Sequence, residues 1–179
     1  MPEENPITTL RVQRKIKPQI EDVLPYFLDG DMLKTALDFT ACLRENKMTP
    51  RWAGILNAWK AICKGKPLYY IRIINDDWKN VTPYNKYTWV VTPYLLHIHE
   101  YDESVIDESL RNLIWDHIGF YCRSCRQCAP GGDLTVFGRE IKSVCVNMPL
   151  TWVWDPDEAA ISGIKRLLEH EKQARNGEK

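Results

Sequence analysis

The sequence lacks an excess of charge of either sign. Its 24 basic side chains are matched by 24 acidic ones over 179 residues. A protein that binds nucleic acid across its surface carries a basic surplus, and so does one held to an anionic membrane. The balance argues against both partners. Long apolar runs are also missing: none approaches the ~20 residues needed to span a bilayer. The start, Met1-Pro2-Glu3-Glu4-Asn5-Pro6, is acidic and polar, whereas a secretory leader is basic and then apolar. The expectation is a cytoplasmic protein whose thiols stay reduced. No internal repeat is present. Nor is there a P-loop, a dinucleotide fingerprint, a nucleophile elbow or a zincin helix. No catalytic residue is assigned, and the reading leans away from an enzyme.

What is present is an ordinary globular composition, 44% apolar and 27% charged. That excludes a disordered chain or a collagen-like repeat, and the length suffices for a buried core without disulfide staples. Residues 1–17 are polar and end in the basic run Arg11-Val12-Gln13-Arg14-Lys15-Ile16-Lys17. They read as a flexible N-terminal arm. Residues 18–175 read as a single α+β domain that includes a Cys-rich loop at 122–145.

Periodicity predicts the elements. A short helix is expected over 19–28, behind Pro18. A second over 31–46 carries Leu33, Ala36, Leu37, Thr40 and Leu43 at helical spacing. Strands are expected at 59–63 and 68–74, joined by Lys64-Gly65-Lys66-Pro67 as a hairpin loop. Tyr69, Ile71 and Ile73 should share one face. Further strands are expected at 87–91 and 95–100, and a loop at 75–86. A helix over 104–120 should start at the box Ser104-Val105-Ile106-Asp107. Strands at 133–137 and 141–146 and an aromatic segment at 151–154 follow. The last helix should be capped at Asp155, with Pro156 at its first position, and should fray after Glu169. Helices flank hairpin-linked strands without β-α-β alternation. The fold expected is α+β, with a mainly antiparallel sheet of about four to six strands flanked by helices.

The sharpest feature is Cys122-Arg123-Ser124-Cys125-Arg126-Gln127-Cys128, followed much later by Cys145. A C-x2-C turn points two sulfurs at one point; a third cysteine can join them, and a distant fourth closes a tetrahedron. Pro130-Gly131-Gly132 lets the chain turn back toward Cys145. Arg123 and Arg126 offset part of the thiolate charge. Cys122, Cys125, Cys128 and Cys145 are therefore expected to ligate a metal, zinc first. Three-plus-one spacing also fits an iron–sulfur cluster, although a proline usually follows the fourth cysteine there and Val146 stands at that place. His117 could replace one cysteine if the helix end turns toward the loop, but a polar residue on a mostly buried helix face is the preferred reading. A redox pair at Cys122 and Cys125 is weakened because the motif follows a helix rather than opening one.

Other residues invite chemistry less strongly. His97 and His99 alternate on an expected strand and so share a face. Exposure on the polar side explains them without a metal, and that reading is preferred. Trp52, Trp59, Trp78, Trp89, Trp115, Trp152 and Trp154 can either fill a core or line a pocket for a flat ligand. Cys42 and Cys63 read as small buried apolar residues. The functional expectation is a zinc-binding module for a small molecule or protein partner. The alternatives are a small electron-transfer protein with an iron–sulfur cluster on the same cysteines, and a small-molecule sensor with an aromatic pocket.

Overall fold

The computed structural model describes residues 6–74, 86–95, 98, 101, 106–119, 131–144 and 151–177. They fall into two compact units, one of residues 1–91 with 154–161 and one of residues 92–153 with 162–179.

The first unit begins where a loose arm was expected. Residues Leu10–Ile16 form helix α1, with Thr9 as N-cap: its hydroxyl accepts from the Val12 amide. The reason is Gln13, which is completely buried and holds four hydrogen bonds. Its amide nitrogen donates to the Ile7 carbonyl at 3.0 Å and to Asn57 Oδ1 at 2.6 Å. Its oxygen accepts from Asn57 N at 2.9 Å and from Trp52 Nε1 at 3.1 Å. Every donor and acceptor of the side chain is used, so burial leaves nothing unsatisfied.

The helix expected over 19–28 is instead two 3-10 turns, Ile20–Asp22 and Leu24–Tyr26. Pro25 lacks an N–H and blocks an α-helical continuation through this stretch. Helix α2, Gly30–Glu45, matches its expectation and buries Ala36, Phe39, Thr40 and Leu43. Strands β1 (Arg51–Trp52), β2 (Ala58–Cys63) and β3 (Lys66–Ile73) follow. β2 and β3 pair antiparallel, with Cys63 opposite Lys66. The loop between them is thus only Lys64-Gly65, both at positive φ (50° and 79°), the pattern of a type I′ turn. Tyr69, Ile71 and Ile73 are buried as a face, and Tyr69 meets Phe39 edge-on at 5.4 Å.

β4 (Trp89–Pro93) and β7 (Val153–Trp154) complete a five-stranded sheet in the order β1-β2-β3-β4-β7. Asp155, expected as a helix cap, caps the sheet instead: its Oδ1 accepts from the Thr88 and Trp89 amides at 2.8 and 2.9 Å. The cap of helix α4 (Glu158–Gly177) is Asp157, which accepts from the Ala160 amide. Both aspartates suit a cap, and the unpaired strand amides claim the first.

In the second unit, helix α3 spans Glu108–Asp116 and is capped by Asp107, whose carboxylate accepts from the Leu110 amide at 2.9 Å. The expected start at Ser104 lies outside the described residues. Strands β5 (Gly132–Val136) and β6 (Arg139–Val144) form a separate antiparallel pair. Phe137-Gly138 makes the turn, again with both φ positive (47° and 75°). The core gathers Leu95, Ile98, Tyr101, Ile106, Leu110, Ile114, Val136, Ile141 and Leu167. Helix α4 does not fray after Glu169. Glu171 is buried, and its Oε2 accepts from the Tyr101 hydroxyl at 2.7 Å. The whole is an α+β fold, as expected; the fraying and cap positions are corrected.

Candidate functional site

Cys122, Cys125, Cys128 and Cys145 lie outside the described residues, as do His97, His99 and Trp78. Among the described residues no group of three or more His, Cys, Asp or Glu is arranged to hold a metal ion. Cys42 and Cys63, expected to be buried, are only half-buried. What the structure describes is the frame around the cysteine segments. β5 and β6 bring Gly132 opposite Val144. On the other side, Ile118 pairs with Thr151 in an isolated antiparallel bridge. Gly132 with Val144, and Ile118 with Thr151, are thus the paired residues that flank in sequence the stretches holding Cys122, Cys125, Cys128 and Cys145.

The hairpin packs on the core of the second unit, but mostly through partly buried residues, Leu134, Phe137 and Val144. Val136 is the one buried residue of β5 and Ile141 the one buried residue of β6. The register slips between Gly132 and Leu134, and Ser143 adopts a positive φ of 54°. Asp133 repairs the irregularity: one carboxylate oxygen accepts from the Ser143 amide, the other from Lys142 Nζ. The Lys142 hydrogen bond and the Ser143 amide hold the Asp133 carboxyl below its usual range. Glu140 and then Asp133 raise Lys142. These groups are exposed, so the pairs add little by themselves.

His117 closes helix α3. Its ring Nδ1 lies 2.9 Å from the Leu113 carbonyl. A carbonyl oxygen can only accept, so Nδ1 carries the proton, and Nε2 is the nitrogen left with a lone pair when the ring is neutral. Metal-bound histidines are commonly held by such a bond to a backbone carbonyl.

The tryptophans divide. Trp59, Trp89 and Trp152 are buried; Trp59 Nε1 donates to the Pro18 carbonyl at 2.9 Å. Trp52 serves the Gln13 network, and Trp154 stacks on Tyr87 at 4.9 Å. Trp115 lines a hollow in the second unit, together with Arg111, Phe137 and Arg139. That grouping was missed from sequence. Its members sit on a helix and a hairpin far apart along the chain, and no local spacing signals their meeting. A second hollow, in the first unit, is walled by Asp31, Asp38, Asp157, Glu158 and Lys34. No helix among the described residues is long and apolar enough to cross a membrane. No family model, no curated protein and no solved structure matches the chain.

Proposed function

We propose that Cys122, Cys125, Cys128 and Cys145 bind one zinc ion that ties the open end of the β5–β6 hairpin, in a cytoplasmic, non-enzymatic module for a small-molecule or protein partner. The observation that supports this is the pairing of Gly132 with Val144. Cys145 follows Val144 directly, and Cys128 precedes Gly132 by only a few residues. A cysteine that is remote along the chain thus starts from the strand paired with the one entered after the other three. The hairpin's poor burial supplies the need. A two-stranded hairpin is marginal on its own, and a structural zinc can contribute on the order of 10 kcal/mol to a site that is unfolded without it.

His117 offers a second arrangement, three thiolates and an imidazole. The Nδ1 bond to Leu113 favours it, since that bond leaves Nε2 for a metal. An iron–sulfur cluster on the four cysteines is the other competitor. Elemental analysis of protein purified without oxygen separates them. One zinc per chain in a colourless sample is expected; brown protein with iron and sulfide would replace the zinc reading. Cys125→Ser should then lose the metal and speed amide exchange across β5 and β6 by roughly a hundredfold or more, each ~1.4 kcal/mol being a factor of ten. The first unit should keep its protection. Unchanged exchange in the hairpin would remove the structural role.

A further inference from the structure

The hollow between helix α3 and the β5–β6 hairpin has a volume of about 530 Å³, within the range of small-molecule sites, ~300–1,000 Å³. Its walls exchange cation–ring contacts. Arg111, on the helix, holds its guanidinium carbon 6.0 Å from the ring centre of Phe137, on the hairpin turn. Arg139, on the hairpin, holds its own 5.1 Å from the ring centre of Trp115, on the helix. Each element supplies one cation and one ring to the other.

This has a chemical consequence. A guanidinium carries its N–H donors in its plane, around the rim. A ring beside it removes rotamer freedom from a long side chain, so less is lost when an anion binds. The Arg111 Nε–H donates to the Ile106 carbonyl at 3.1 Å, which fixes that guanidinium further. Arg139 makes no ion pair among the described residues. Asn112, on the same wall, adds an amide that both donates and accepts. Two planar cations, two aromatic rings and an amide share the cavity with one carboxylate, Glu108, and suit a ligand that sets an oxyanion at the arginines and a flat polar ring beside them. Bidentate N–H pairs match a phosphate, and guanidinium planes accept stacked bases.

We infer that this cleft binds a nucleoside monophosphate or a closely similar phosphorylated flat ring. Cavity size and the zero net charge of the chain favour a single nucleotide over a polymer, which would need a longer basic track. The inference uses only described residues and does not depend on the metal.

The test is calorimetric titration of the metal-replete protein with adenosine monophosphate, adenosine, inorganic phosphate and a short single-stranded oligonucleotide. Saturable binding of the monophosphate is expected, at least tenfold tighter than adenosine or phosphate. Arg139→Gln, at an exposed position, should weaken it at least tenfold, and Arg139→Lys should rescue only part, because lysine keeps the charge without the plane. Amide shift mapping guards against a misfolded variant: shifts on wild-type protein should centre on residues 111–115 and 137–139. Absence of saturation at about 10 mM monophosphate, unchanged affinity in Arg139→Gln, or shifts confined elsewhere would each overturn the site. Tighter binding of the oligonucleotide would overturn the single-nucleotide ligand.

Discussion

The β2–β3 and β5–β6 hairpins share a turn and differ in almost everything beneath it. Both use two residues at positive φ, Lys64-Gly65 and Phe137-Gly138, because a type I′ turn matches the twist of the strands it joins. β2–β3 lies inside a five-stranded sheet and buries Ala58, Trp59, Ala61, Leu68, Tyr69, Ile71 and Ile73. Among the described residues β5–β6 has no third strand; it fully buries Val136 and Ile141, and Leu134, Phe137 and Val144 pack against the same core only partly buried. Turn chemistry explains why each chain reverses. It does not explain why the second reversal should persist; partial packing on the core of its unit contributes, and the proposed metal site would add to it.

The largest effect should come from undermining the well-buried hairpin. Phe39 is completely buried and meets Tyr69 of β3 edge-on. Phe39→Ala removes that support and leaves a cavity; such truncations cost about 3–5 kcal/mol. Chemical denaturation followed by exchange should show the loss throughout β2 and β3, with protection in β5 and β6 unchanged. A smaller loss confined to α2 would mean that the sheet closes over the gap and that the first hairpin owes less to burial than its side chains suggest.

The turns themselves give a finer contrast. A Cβ added at Gly65 or at Gly138 would meet nothing within 4 Å, so the obstacle to alanine is the backbone alone, at φ of 79° and 75°. Left-handed geometry costs an alanine about 1–2 kcal/mol at either site. Equal costs should have unequal results. Gly65→Ala should leave β2–β3 exchange slow, because the sheet has stability to spare. Gly138→Ala should raise exchange across β5–β6 visibly, and metal should reduce the increase if the thiolates tie the strands. Equal exchange in both variants would dissolve the distinction between the two hairpins.

The same contrast shows what could be read from sequence. Helix α2 and the face of β3 carry periods of 3.6 and 2: of the expected α2 stripe Ala36, Thr40 and Leu43 are buried and Leu33 and Leu37 half-buried, and Tyr69, Ile71 and Ile73 are buried as a face. Three of the misreadings share one cause: a polar residue whose partner is distant. Gln13 looked like part of a solvated arm, yet Asn57 and Trp52 give it a reason to be inside. Glu171 looked like the start of a frayed end, yet Tyr101 holds it. Asp155 had every local property of a helix cap and was taken by strand amides. The candidate metal residues were legible as spacing, but the pairing of Gly132 with Val144 that supports them is a fact of tertiary structure. The arginines beside the rings had no local signature at all.

The smallest effect separates the charges of the two regions. In the first unit Arg44 grips Glu21 with two hydrogen bonds of 2.8 Å and reaches Gln19 with a third, tying α2 to the preceding 3-10 turn. Burial works to raise the Glu21 carboxyl, but the Arg44 hydrogen bonds and charge, with a backbone bond, outweigh it and leave the group below its usual value of 4.5. A carboxyl that titrates lower when folded stabilises the fold fully above its unfolded value, and that stabilisation fades as the pH falls through the folded value. Glu21→Gln keeps the shape and removes the charge. It should lower stability at neutral pH by about 0.5–1 kcal/mol, the scale of a partly exposed pair. Melting both proteins from pH 7 to about pH 3 should show a constant gap above the usual carboxylate range that closes below it. A gap that persists to the acid end would mean packing, not charge, holds the turn. Asp133→Asn on the β5–β6 hairpin should show no comparable gap in moderate salt, because Lys142 has Glu140 as a second partner and all three groups face solvent. If it did, exposed charge would be supplying to that hairpin what its burial lacks, and the case for the thiolates as its tie would weaken.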